Sequence, residues 1–293
     1  MSTAISVGDA FASRRPPSMA SNTLCIARRE LRDALKSRWF VLYTLAFVVL
    51  GLAVSFVSAA GTGGTGFSGF GRTTAGLVNL ILLVVPLMAL TAGAATIASD
   101  RERGMLAYLL SQPVSPVEVL LGKYIGLGAS LLAAISLGLG ACAVILSWRG
   151  GVSSPQAILW LAGLSFVLAL GMLSVGIMIS SLTRRASAAV GVAIFVWLTL
   201  VFVSDLALMA GAVALHLRID ELFALSLLNP LQVFKMWSLH AIDANLDVLG
   251  PAGLYAVEEY GRSLHAIFAV GLSAWIVLPL VVASVVLARK SPL

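Results

Sequence analysis

Six apolar stretches, each long enough to cross a bilayer, decide what this chain can fold into. They run over about Trp39–Ala59, Leu77–Ile97, Tyr124–Leu146, Ala157–Ile179, Ala186–Asp205 and Leu264–Ala288. The hydrocarbon core is about 30 Å thick, and about 20 helical residues traverse it. In lipid an open strand would leave its backbone groups unpaired, so each stretch is predicted to be a helix. Only 11% of the 293 residues are charged, against about a quarter in soluble domains. That deficit excludes a water-soluble enzyme, and the high apolar content excludes a disordered chain. The expected fold class is therefore an all-α polytopic membrane protein with six transmembrane helices. A further apolar stretch, Leu206–Leu217, is short for a span and reads either as an extension of the fifth helix or as a segment at the outer surface.

Lysine and arginine orient the chain. With the N-terminus inside, one side holds fourteen cations: Arg14, Arg15, Arg28, Arg29, Arg32, Lys36, Arg38, Arg101, Arg103, Lys123, Arg184, Arg185, Arg289 and Lys290. The other side holds five: Arg72, Arg149, Arg218, Lys235 and Arg262. The positive-inside rule then puts both termini on the cytoplasmic side of the membrane. The cationic surplus encodes orientation, not nucleic-acid binding. Residues 1–19 lack an apolar core for a signal peptide and read as a disordered cytoplasmic tail. Residues 20–38 follow as an amphipathic helix at the inner interface. Leu24, Ala27, Leu31, Ala34 and Leu35 share one face, and Arg28, Arg29, Arg32, Asp33 and Lys36 take the rest. Such a face suits membrane lipid, whose anionic head groups attract the cations.

A search for chemistry is mostly negative. Gly61, Gly63 and Gly66 satisfy G-x-G-x-x-G, but they follow a span on the outer side, in a stretch that reads as a flexible loop. Gly122–Lys123 resembles the end of a phosphate-binding loop, yet Val117 stands at the first glycine position and Tyr124 at the Ser/Thr position. The chain has no Walker A sequence and is expected to be non-catalytic, without a cofactor of its own. The spans carry almost no ionisable group, which argues against an ion-coupled transporter. Asp205 falls near the outer interface, as a solvated carboxylate. Cys25 and Cys142 lie far apart and imply neither disulfide nor zinc site. Met236, His240 and Asp243 fall on one helical face and form a weak metal candidate, with ordinary packing as the other reading. Asp220–Glu221 and Glu258–Glu259 read as hydrated surface. Gly122 and Gly126 form a G-x-x-x-G that permits close helix packing.

The most informative stretch is the inner loop 98–123. It opens with Asp100-Arg101-Glu102-Arg103, passes Gly104 and the apolar run Met105–Leu110, and reaches Pro113 and Pro116. Ser115 can cap the next helix with Pro116 at its first position. A short helix held toward the cytoplasm suits docking, and loops this long usually carry function. The alternative is a plain re-entry loop.

Glu102-Arg103-Gly104, Leu109-Leu110-Ser111-Gln112-Pro113 and Gly122-Lys123 resemble the ABC-2 type transporter permeases, as does Ser180-Ser181-Leu182-Thr183-Arg184-Arg185. The resemblance covers the chain after residue 20 and implies a type V exporter-like permease fold with an N-terminal amphipathic helix. It also implies a homodimer whose ATP is bound by a separate cytoplasmic ATPase. Coupling to that ATPase would fall on Asp100, Arg101, Glu102, Arg103, Gly104, Met105, Leu106, Leu109 and Leu110, with Arg184 and Arg185. The strings Asn229–Met236 and Leu249–Tyr255 resemble, more narrowly, permease subunits that serve copper–sulfur centre maturation of nitrous oxide reductase in denitrifying bacteria. That implies a NosF-type ATPase inside and a periplasmic NosD-type protein outside. The outer segment 217–263 is too long for a passive link, and Phe234, Lys235, Trp237 and Tyr255 are its expected contacts with the periplasmic partner. The alternatives are a self-packed outer cap, an ABC-2 exporter of lipid or drug-like cargo, and a force-transmitting anchor that moves no cargo.

Overall fold

The computed structural model describes residues 19–60, 66–111, 114–148, 155–213, 218–241 and 259–290, and among them it contains helices and no strand. In chain order these are α1 (Met19–Lys36), α2 (Arg38–Ala60), α3 (Gly66–Glu102), α4 (Met105–Leu110), α5 (Pro116–Trp148) and α6 (Pro155–Leu182). Then come α7 (Ala186–Leu198), a π-helical turn (Thr199–Val203), α8 (Ser204–Val213), α9 (Ile219–Leu227), α10 (Pro230–Ala241) and α11 (Leu264–Lys290).

Six helical stretches are long and apolar enough to cross a membrane: Arg38–Val57, Ala75–Glu102, Pro116–Ile145, Gln156–Leu182, Ala186–Gly211 and Leu264–Arg289. Each contains most of one of the apolar stretches read from the sequence. The fifth runs through the π turn into α8, so the stretch from Leu206 continues that helix up to Val213. The glycine-rich segment departs from the loop expected there. Gly61–Thr65 lie outside the described residues, but Gly66 already opens α3. A glycine costs a helix about 1 kcal/mol relative to alanine, which a long, already nucleated helix tolerates.

α3 and α6 form the centre. Buried residues make up 67% of the most apolar window of the α3 span and 56% of that of α6, but 17% in α2 and 11% in the α7–α8 span. The two central helices meet backbone to backbone. A Cβ on Gly93 would stand 2.7 Å from the Leu173 carbonyl oxygen, and one on Gly176 would stand 2.5 Å from that of Leu90. Small residues allow such crossings where lipid supplies no hydrophobic drive between helices. Buried serines add little polarity, because Ser130, Ser165 and Ser174 donate to carbonyls of their own helices.

The bundle has two chemically distinct ends. One gathers α1, the end of α3, α4, the start of α5 and the α6–α7 turn, tied by Lys123–Asp100 and by Arg101, which donates to the Thr183 carbonyl. The other holds α9, α10 and the start of α11, where Trp237 meets His265. Arg28, Arg29, Arg32, Lys36, Arg38, Arg101, Arg103, Lys123, Arg184 and Arg185 belong to the first end, whereas Arg218, Lys235 and Arg262 belong to the second.

Candidate coupling site

The loop between α3 and α5 is built to present α4. Gly104 adopts φ +70°, a backbone conformation that glycine takes without penalty, and turns the chain out of α3. The Gly104 amide donates to the Arg101 carbonyl at 3.2 Å, after which α4 begins at Met105. α5 starts at Pro116, as expected. Ser115 Oγ accepts from the Glu118 amide, and Glu118 Oε2 accepts from the Ser115 amide, each at 3.2 Å. This reciprocal box satisfies two helix-end donors.

The expected coupling residues divide into two groups. Glu102, Arg103, Gly104, Arg184 and Arg185 are exposed, and Met105 and Leu109 are half-buried. Leu106, by contrast, is only 7% exposed and belongs to the core, so it anchors α4 from behind. Among the described side chains of α4, Tyr108 is the one turned outward, 62% exposed, and it was missing from the expected set. The side chain of Leu110 lies outside the described residues. Asp100 and Arg101 are turned inward as well. Asp100 pairs with Lys123 at 2.7 Å, while Arg101 donates to the carbonyls of Thr183 and Ser181. Arg101 thus ties the end of α3 to the loop that carries Arg184 and Arg185. Just above it, Ser180 Oγ accepts from the amides of Ile97 and Ala98 at 3.0 and 2.8 Å.

α1 forms where its amphipathic pattern places it, and only part of its apolar face packs on the protein. Ala27 and Ala34 are buried, whereas Leu24 and Leu35 are 69% and 45% exposed. The packing face is instead Asn22, Ile26, Ala27 and Glu30, against α5. A Cβ on Gly122 would stand 2.7 Å from Ile26 Cβ, and one on Gly126 would collide with the Ala27 carbonyl. The G-x-x-x-G at the start of α5 is therefore the seat of α1. Asn22 also donates to Glu118 at 3.2 Å. The residue that sequence reasoning undervalued is Lys123. It is 2% exposed and pairs with both Glu30 and Asp100. A lysine inside an otherwise apolar run was the available signal.

At the opposite end, the outer segment is folded onto the bundle where it is described. Phe234 is fully buried, leaving it no surface to offer a partner, and Trp237 is half-buried against Phe268 and His265. The contact expected at Phe234 is corrected accordingly, because an apolar side chain next to an unfilled core is drawn inward, while Trp237 keeps part of its surface. Lys235 is half-buried, and Tyr255 lies outside the described residues. Met236 is buried and accepts a weak bond from Ser226 Oγ at 3.7 Å, so its sulfur faces the core. His240 lies 5.0 Å from His265, ring to ring, and Asp243 is outside the described residues. Among the described residues no three His, Cys, Asp or Glu side chains converge on a metal position. Two further polar residues hold this end. Asn229 Nδ2 donates to the Leu200 carbonyl, in the π turn, at 2.7 Å, and Gln232 Nε2 donates to exposed Asp205 at 2.5 Å. A π turn leaves a carbonyl free for such a donor.

Comparison with known proteins agrees with this architecture. The model of the ABC-2 family transporter protein matches residues 24–291. A relative named "Probable ABC transporter permease protein NosY" from Stutzerimonas stutzeri is 30% identical over 271 residues, covering 90% of this chain and 97% of the relative. A protein of the same name from Pseudomonas aeruginosa is 33% identical over 227 residues, covering 75% of this chain and 82% of that protein. With six membrane-length helices, an exposed helical turn between the second and third, and a family match over nearly its whole length, the chain belongs to the ABC-2 transporter family as a multi-pass permease subunit.

Proposed function

We propose that this chain is the inner-membrane permease of a complex that couples ATP hydrolysis by a separate NosF-type ATPase to a periplasmic NosD-type protein, in maturation of the copper–sulfur centre of nitrous oxide reductase. The observation that carries the coupling half is the presentation of α4. Tyr108, Glu102 and Arg103 are exposed on a turn whose reverse side, Leu106, is packed into the core. A contact that must hold while the ATPase opens and closes needs an aromatic anchor as well as charge, because rim charges chiefly tune association rate. The end of the bundle that carries α4 faces the cytoplasm in this reading, consistent with the gathering of cations there. The NosY name of both relatives supports the copper-centre role. The complex is taken to hold two copies of the chain, as the family resemblance implies.

The test is a site-specific photo-cross-linker at Tyr108 in membranes that also contain the ATPase. Cross-linking to the ATPase subunit is expected. Cross-links confined to lipid or to the permease would overturn the assignment. A second reading, a force-transmitting anchor that moves no cargo, is favoured by one feature: buried Ser130, Ser165 and Ser174 of α5 and α6 spend their hydroxyls on carbonyls of their own helices. Transport assays in proteoliposomes separate the two readings, since an anchor supports maturation without moving any solute.

A further inference from the structure

We infer that Lys123 is a positioning residue that fastens α1 to α3 and α5, so that the three inner helix ends and the α4 turn they carry move as one body. This deepens the permease reading, because that body is the one proposed to meet the ATPase. Three observations converge on it. Lys123 sits on α5, and its ammonium pairs with Glu30 on α1 and with Asp100 on α3 at 2.7 Å, while also reaching Thr96 Oγ1 at 3.2 Å. Its side chain is 2% exposed, and the two carboxylates are 17% and 20% exposed. Each partner thus lies on a different helix, and only their joint presence keeps the buried Lys123 ammonium fully compensated out of water.

The second observation is that the seat is shaped for this. Gly122 and Gly126 flank Lys123 and let the α1 backbone approach closely enough for Glu30 to reach it. The third is the position of Asp100 in the chain. It lies four residues before Gly104, the turn into α4, and its neighbour Arg101 reaches the other way, to the Thr183 and Ser181 carbonyls. A displacement of α4 is therefore passed to α5 and α1 through Asp100 and Lys123, and to the α6–α7 loop through Arg101. An amphipathic helix held only by lipid could slide independently. A helix joined through a shared buried cation cannot.

The experiment measures a distance distribution by pulsed electron paramagnetic resonance on the full chain in lipid nanodiscs, diluted with unlabelled protomers. One spin label goes on exposed Cys25 of α1 and one on Tyr108→Cys of α4, while Cys142 is buried. The native chain is expected to give a single narrow peak. Glu30→Gln, which leaves Lys123 compensated by Asp100, should lose that peak. The triple variant Lys123→Met, Glu30→Gln, Asp100→Asn removes the whole charge set and should fold and melt like the native chain, because neutral replacement of a buried ion group is commonly tolerated. It should nevertheless show the broad distribution. A narrow native-like peak in Glu30→Gln, or in a normally melting triple variant, would overturn the proposal and reduce the node to charge compensation. No ATPase is present in the measurement, so failure of the permease reading would appear in the Tyr108 cross-link and not here.

Discussion

Phe234 and Leu106 teach the same lesson at the scale of one side chain. Each lies in a segment outside the apolar spans, where an apolar residue suggests a docking anchor, and each is instead drawn into the core of its own chain. Burial of this kind has a measurable consequence. Phe234→Ala should cost about 3–5 kcal/mol of folding stability, the range for truncating a buried phenylalanine. Thermal unfolding in detergent is expected to show that loss, and an unchanged melting temperature would place Phe234 at a surface after all. Glu102 is the opposite case, an exposed charge beside exposed Tyr108. Glu102→Lys should leave the melting temperature unchanged but weaken ATPase association in a salt-dependent way, since such pairs are screened over about 8 Å at physiological salt. Binding measured at two salt concentrations checks both parts.

At the scale of elements, much was legible because lipid simplifies the problem. Twenty-residue apolar runs have one conformation available, so the six spans could be read directly, and Ser115-Pro116 announced the start of α5 through its capping chemistry. The face by which α1 packs on the protein was not legible. Composition gave the face suited to lipid, with Leu24 and Leu35, but the notch that receives α1 lies about a hundred residues away, at Gly122 and Gly126, and it selects Ile26, Ala27 and Glu30. A local pattern cannot reveal which neighbour will be smooth enough to pack against. The π turn before α8 was hidden for a similar reason, because the amide that takes its free carbonyl, on Asn229, comes from another element. Gly122→Leu tests the notch. The added side chain meets Ile26 and the Thr23 carbonyl, so α1 should detach while the spans persist. Limited proteolysis is expected to cut between α1 and α2 in the variant and to spare the native chain. Resistance in both would show that α1 is held elsewhere.

On the scale of the whole molecule, the two ends differ in what they hold, and that difference predicts a direction. The end with α1, α4 and the α6–α7 turn carries twelve described cations, the ten named above with Arg289 and Lys290, against four at the end with α9 and α10, where Arg72 joins Arg218, Lys235 and Arg262. In a bilayer the cation-rich end is retained in the cytoplasm. Reporters of sidedness must be exposed at opposite ends, and the structure identifies two. Cys25 is exposed on α1, and Leu228, just after α9, is 70% exposed, whereas Ser238 on α10 is fully buried and would not report. An impermeant thiol reagent should label Cys25 only in inside-out vesicles and Leu228→Cys only from the periplasmic face. Labelling of both from one side would break the six-span arrangement, because an even number of crossings separates α1 from the C-terminus and an odd number separates it from α9. If the two sites do report opposite faces, α4 and the pair Arg184–Arg185 lie on the Cys25 side, where ATP is available. Among the described residues, α9 and α10, clamped by Asn229 and Gln232 onto the α7–α8 span, then offer a route by which the motion proposed to begin at α4 reaches the far side of the membrane.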